Sequence, residues 1–221
     1  NYSADSPIIG PGQGSRGGVA AVCAMTTILL RAFAKQGHGS KFSTPDQSIL
    51  YKGISKMFID DATNYINNFL PWLHTPADQL EVTAILGLDA QTWERLLHTS
   101  GGKLRPDKCL YYILTWLFDD EGKATLEPPD EDCQMSLTSG TGDTTHQIVH
   151  YSPHQAHRTL GVYLAPDFQT TTALTILRQK IARYSTRLIR GNLSRFDTWT
   201  CYFTCFLPKI TYGLEVMTHS R

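Results

Sequence analysis

The chain has 221 residues, of which 41% are hydrophobic and 18% charged, with 20 basic side chains balanced by 20 acidic ones. That length allows one or two domains with a sizeable core, and the composition is that of a soluble globular protein. No continuous apolar span is long enough to cross a bilayer, and zero net charge argues against an indiscriminate nucleic-acid binder.

Charge is unevenly spread. Residues 178–221 carry eight basic and two acidic side chains, and residues 119–143 carry eight acidic and one basic. A basic carboxy-terminal end attracts phosphates even in a neutral chain, and an ordinary solvated helix face looks the same. The five cysteines (23, 109, 133, 201 and 205) form no C-x-x-C pair. They read as buried free thiols in a reducing, intracellular setting. The sequence opens on Asn1 with no signal-peptide pattern, so it is read as a fragment or a processed piece.

The chain begins with a short polar stretch. Gly10 to Gly18 then holds five glycines in nine positions, which lets backbone approach another surface closely. Val22, Thr26, Leu29, Leu30 and Phe33 recur at helical spacing, and Gly37 and Gly39 end that helix. A glycine loop feeding a helix start is an anion cradle, although this spacing is neither the Walker pattern nor the dinucleotide fingerprint. Two strand-like runs follow, Ile49 to Phe58 and Thr63 to Leu70, joined through Asp60-Asp61. Carboxylates held at a hairpin turn suit Mg²⁺ with substrate phosphates; Asp is also common in plain solvated turns.

Thr75-Pro76-Ala77-Asp78 predicts the start of a second helix, with an apolar side from Leu80 to Leu97, a break at Gly87 and an end at Ser100-Gly101-Gly102. Cys109 to Phe118 predicts one strand, turning at Asp119 to Gly122 into a short return strand at Ala124 to Leu126. Glu127 to Thr144, rich in acids, Pro, Ser, Thr and Gly, reads as a loop. Gln147 to Tyr151 and Thr159 to Leu164 read as strands. His146, His150, His154 and His157 raise a zinc reading, but Pro153 breaks any helix that would gather them and no thiol or acid stands at ligand spacing. From Thr171 a helix runs to Gly191 with Leu174, Leu177, Ile181 and Leu188 on one side and the arginines elsewhere. Ser194 to Asp197 is a capping box opening an aromatic helix, whose Trp199, Tyr202, Phe203 and Phe206 read as core, not as a base-stacking platform.

In order, the blocks Gly12-Gln13-Gly14-Ser15, Phe58-Ile59-Asp60-Asp61, Gly102-Lys103-Leu104-x-x-x-Lys108 and Leu160-Gly161-Val162 resemble motifs B, C, D and E of a reverse transcriptase palm of the non-LTR retrotransposon type. Leu207-Pro208-Lys209-Ile210-x-Tyr212-Gly213 resembles the start of a thumb. The resemblance implies an α+β fold: a partial palm over residues 1–167, an antiparallel sheet with helices on one face, then a helical thumb start over 168–221.

It also implies roles. Asp60 and Asp61 would hold catalytic Mg²⁺. Gln13, Gly14 and Ser15 would position template and incoming deoxynucleotide. Lys108, or else Lys103, would stand near the departing pyrophosphate, and Leu160 and Gly161 would support the primer end. The implied partners are an RNA template and a DNA primer, with no membrane. Val19 stands where the family has a proline, and Ala62-Thr63-Asn64-Tyr65 is an unusual run after the acidic pair. No acid has the context of motif A, so the third metal carboxylate and the fingers are expected to be missing and the chain inactive alone. The alternatives are a decayed or repurposed module that binds nucleic acid or a protein through Arg178 to Arg195, and a small metal-dependent hydrolase.

Overall fold

The computed structural model describes residues 18–44, 46, 48–53, 55–58, 61–67, 79–128, 130, 132–159, 161–212 and 214, with backbone alone for 19, 58 and 61. The fold is α+β. Its contacts divide into two compact units, residues 1–115 with 128–151, and residues 116–127 with 152–221. They cut the chain differently from the motif-based segments 1–167 and 168–221.

In the first unit, helix α1 (Gly18–Gln36) buries Phe33 completely, with its ring edge-on to Trp93 at 5.4 Å. It stops at Gly37, whose N–H returns to the Phe33 carbonyl at 2.7 Å. Two antiparallel hairpins follow: β1 (Ser40–Ser43) with β2 (Leu50–Gly53), then β3 (Ser55–Phe58) with β4 (Asp61–Asn64). The run from 49 to 58 is therefore not the single strand its apolar residues predict. Gly53, with no side chain to pack, stands where the chain changes partner, as glycine in a strand-like run often does. The expected strand 63–70 likewise begins earlier, at Asp61, and its last three residues lie outside those described. Past β4, the Asn67 amide both accepts from Lys41 N–H and donates to Lys41 C=O, each at 2.7 Å, extending the edge of β1 as a further strand would.

Helix α2 (Gln79–Thr99) runs through Gly87 without interruption. A Cβ there would meet the Met135 side chain at 3.6 Å. The helix ends as its glycines predict: Gly101 takes φ +85, and Gly102 N–H bonds back to Leu97 C=O at 2.9 Å. A 3₁₀ turn (Pro106–Lys108) leads into β5 (Leu110–Tyr111). The expected strand 109–118 is split, since β6 (Trp116–Phe118) pairs instead with β7 (Ala124–Leu126) in the second unit. The turn between them is the expected one; Asp119 Oδ1 accepts from Glu121 and Lys123 N–H.

The segment 127–144 is not a simple loop. It carries β8 (Met135–Thr138), antiparallel to β9 (Thr145–His150), with β5 parallel on the far side in the order β5-β9-β8. Cys133, Met135 and Leu137 alternate inward and join Tyr111, Ile113 and Ile148 in the main core, under α2. Two side-chain amides of α2 fasten this layer. Gln91 both donates to and accepts from the Thr138 backbone, and Gln79 does the same between Pro128 C=O and Asp130 N–H.

His150 closes the core's edge, stacked on Tyr111 at 4.6 Å with the rings 7° apart. Burial pushes its pKa below the ordinary 6.5. The unfolded chain then takes up this proton first as pH falls, so stability is full above about 6.5 and is lost on acidification toward the lower folded value. Urea midpoints at neutral and mildly acidic pH check this: His150→Phe should flatten the decline, and an unchanged slope would rule His150 out as its source.

In the second unit, β10 (His157–Thr159) and β11 (Val162–Leu164) form a hairpin where one strand over 159–164 was expected. Gly161 turns it with φ +90, a conformation glycine adopts at little cost. Helix α3 (Thr171–Arg190) follows, then α4 (Arg195–Cys201), a π-helical turn (Tyr202–Phe206) and α5 (Leu207–Thr211). Ser194 caps α4 as its spacing predicts, accepting from Asp197 N–H at 3.1 Å. The π turn precedes Pro208, which has no N–H to continue an α ladder, and Leu207 N–H reaches five residues back to Tyr202 C=O.

Candidate functional site

Asp61, the second residue of the acidic pair, lies on the β3–β4 hairpin. Phe58 faces Asp61 in the register, so residues 59 and 60 are the whole connection. Asp61 heads β4; Asp60 falls in the connection, outside the described residues. Helix α1, which follows the glycine-rich segment, rests against β3. Gln13, Gly14, Ser15 and Leu160 also lie outside the described residues.

Both candidate lysines are exposed. Lys103 follows the α2 terminus, and Lys108 ends the 3₁₀ turn. Neighbouring Asp107 is engaged by Arg105 through two bonds of 2.9 and 2.7 Å, and this guanidinium holds its carboxyl below the usual range. Lys108 is thus left without an ion-pair partner among the described residues. Burial, and then the charge of Asp107, pushes the adjacent Cys109 thiol up, which suits a packing cysteine better than a nucleophile. Among the five cysteines, all free, only Cys133 is buried; Cys23 and Cys205 are exposed, contrary to expectation. Gly161 belongs to the second unit.

The aromatic helix is the clearest correction. Trp199 is 65% exposed and Phe196 76%, with Tyr202 and Phe203 also at the surface. They are not core. The segment meets α3 on one side only, through Tyr184 and Phe206, with ring centroids 6.4 Å apart. Periodicity marks apolar positions but not whether anything covers them.

Two His–Asp pairs were not anticipated. His38 Nδ1 lies 2.8 Å from buried Asp89, and His154 Nδ1 lies 2.6 Å from nearly buried Asp167. Sequence spacing gave no signal for the first, whose partners stand 51 residues apart. Among the described residues no three His, Cys, Asp or Glu gather as a metal site, and no helix is long and apolar enough to cross a membrane.

Comparison with protein-family models, with curated proteins and with solved structures finds no match to this chain.

Proposed function

We propose that this chain is the palm and thumb portion of a reverse transcriptase, contributing Asp60 and Asp61 to RNA-templated DNA synthesis. The observation that carries the reading is the β3–β4 register, in which Asp61 heads β4 directly after a two-residue connection, in a hairpin whose other strand, β3, lies against α1. Four sequence blocks in the order of motifs B to E support it. Two neighbouring carboxylates fit Mg²⁺ by donor chemistry, since that ion takes one or two carboxylates alongside substrate phosphates. When bound, the ion would neutralise charge on the phosphates during attack by a primer 3′ hydroxyl.

The chain's own residues would do the rest. The glycine-rich segment, with Gln13, Gly14 and Ser15, would orient template and deoxynucleotide. The Lys108 ammonium would offset charge on the departing pyrophosphate, with Lys103 as its substitute. Positioning and charge stabilisation of this kind supply most of the rate in phosphoryl transfer.

Mn²⁺ titration tests the pair directly. Asp60→Asn and Asp61→Asn should each weaken binding at least about tenfold, the lower end of what losing even a supporting group costs a metal site. Unchanged affinity would sink the reading. Primer extension on an RNA template should fail with this chain by itself, because no third carboxylate of the motif A kind is present in it. Product formed without template or primer would point to a hydrolase instead.

A second reading, a non-catalytic nucleic-acid or protein-binding module, is favoured by α3. Its Arg178, Arg183, Arg187 and Arg190 find no carboxylate at ion-pair distance among the described residues.

A further inference from the structure

We propose that the second unit carries a platform for single-stranded nucleic acid, formed by exposed rings of α4 and the π turn and by the cations of α3, which meet no carboxylate at ion-pair distance among the described residues. The rings form a continuous run. Trp199 meets Phe203 at 4.5 Å, Phe203 meets Tyr202 at 5.1 Å, and Tyr202 stacks on Phe206 at 5.2 Å. Phe206 then reaches Tyr184 of α3. At Tyr184 the run becomes cationic: Lys209 Nζ donates to its hydroxyl at 2.7 Å and lies 4.9 Å from its ring centre, and Arg183 lies 5.6 Å from it. The Lys209 hydrogen bond, with the charges of Lys209, Arg183 and Arg187, lowers the Tyr184 pKa, as a locally positive surface requires.

Charge selects the occupant. Between Arg178 and Lys209 there are seven basic residues and one acid, Asp197, which is already held by Ser194 at 2.7 Å. Such a surface fits a polyanion. The rings then choose among polyanions. An unpaired strand offers the π-face of each base to an aromatic side chain, whereas a duplex keeps its bases stacked inside and offers only phosphates. A lipid-binding helix segregates its rings from its cations on opposite faces; here Arg183 and Lys209 lie against the ring run itself. The π turn points the same way, since such turns occur frequently at functional sites. The platform depends on neither Asp60 nor Asp61. It specifies the ligand class of the non-catalytic reading.

Fluorescence anisotropy of the full chain tests it, with a labelled oligothymidylate, the same-length oligouridylate, a blunt duplex, and vesicles of phosphatidylserine in phosphatidylcholine as separate arms. Both single strands should bind more tightly than the duplex or the vesicles. Trp199→Leu keeps apolar bulk at an exposed site and should weaken single-strand binding about tenfold, the scale of one lost base stack, without changing its salt dependence. Arg187→Gln should weaken binding and reduce the salt slope by about 0.7. Asp60→Asn should bind as the parent does, so failure of the polymerase reading leaves this result standing. Far-UV circular dichroism checks that each variant is folded. Equal or tighter duplex binding, binding to vesicles alone, full affinity in Trp199→Leu, or loss of binding in Asp60→Asn would each overturn the platform.

Discussion

Asp89→Ala should destabilise the protein by about 2–6 kcal/mol, the cost of leaving two backbone N–H groups without their acceptor. Asp89 is 2% exposed, in the middle of α2. Both of its oxygens accept from His38 N–H at 3.1 Å, Oδ1 also meets the His38 ring at 2.8 Å, and Oδ2 faces Gly39 N–H at 3.4 Å. This carboxylate therefore fixes the chain where it leaves α1. A negative charge at a helix carboxy terminus is unfavourable by itself, because the dipole is negative there; the gathered N–H donors outweigh that term. Alanine would leave two backbone donors with no acceptor in a dry place, at about 1–3 kcal/mol each. Asp89→Asn keeps the shape and one acceptor and should fall between. His38→Ala, at a half-exposed ring, removes one bond and should cost about 1 kcal/mol. Urea unfolding followed by circular dichroism separates the three, and an Asp89→Ala midpoint within about 0.5 kcal/mol of the parent would show the cluster to be idle. Because α1 rests against β3, loosening this latch should also weaken the Mn²⁺ binding proposed for the acidic pair.

The helices were legible because their ends are written in local chemistry. Gly37, Gly101 and the Ser194–Asp197 box each stop or start a helix through bonds that a few neighbouring residues can make. The strands were harder, because pairing is set by distant residues. Ile49 to Phe58 reads as one run, yet its halves pair in opposite directions along the chain. Leading into β8, the alternation of Cys133, Met135 and Leu137 was present, but flanking acids and prolines outweighed three inward positions. A hairpin around the acidic residues was legible, but its strands were not: β3 is only the end of the apolar run, and β4 starts at Asp61, which the sequence assigns to the turn. The exposed ring run was not, since a sequence records that Trp199 and Phe203 are aromatic and not that they stand at the surface. The His38–Asp89 latch was invisible for the reason that makes it stabilising: its donors and acceptor come from distant parts of the chain. Gln13, Gly14, Ser15 and Asp60 keep only their sequence argument, as they lie outside the described residues.

Gly140→Ala should cost about 3 kcal/mol, at the upper end of overpacking penalties. The reason is contact, not backbone conformation, since Gly140 is not among the glycines with positive φ. A methyl group there would overlap His98 Cγ and Cβ. A change of rotamer would move Cγ but not Cβ, which the backbone of α2 fixes, so it does not clear the clash. Nor can the β8–β9 turn withdraw freely, because Gly140 N–H is held by the buried Glu94 carboxylate at 2.9 Å. Retreat would break that bond and leave a second Glu94 oxygen without a partner, since Oε2 already has none. His98→Gly removes both Cγ and Cβ; by itself it should cost about 1 kcal/mol, as glycine does inside a helix, but it should return most of the stability lost in Gly140→Ala. The double-mutant cycle measures the clash itself, and a coupling energy within about 0.5 kcal/mol of zero would mean that the turn yields instead. A large coupling would establish that α2 and the β8–β9 turn meet with no room for one carbon atom, so the glycine at this position is required by the helix packed against it.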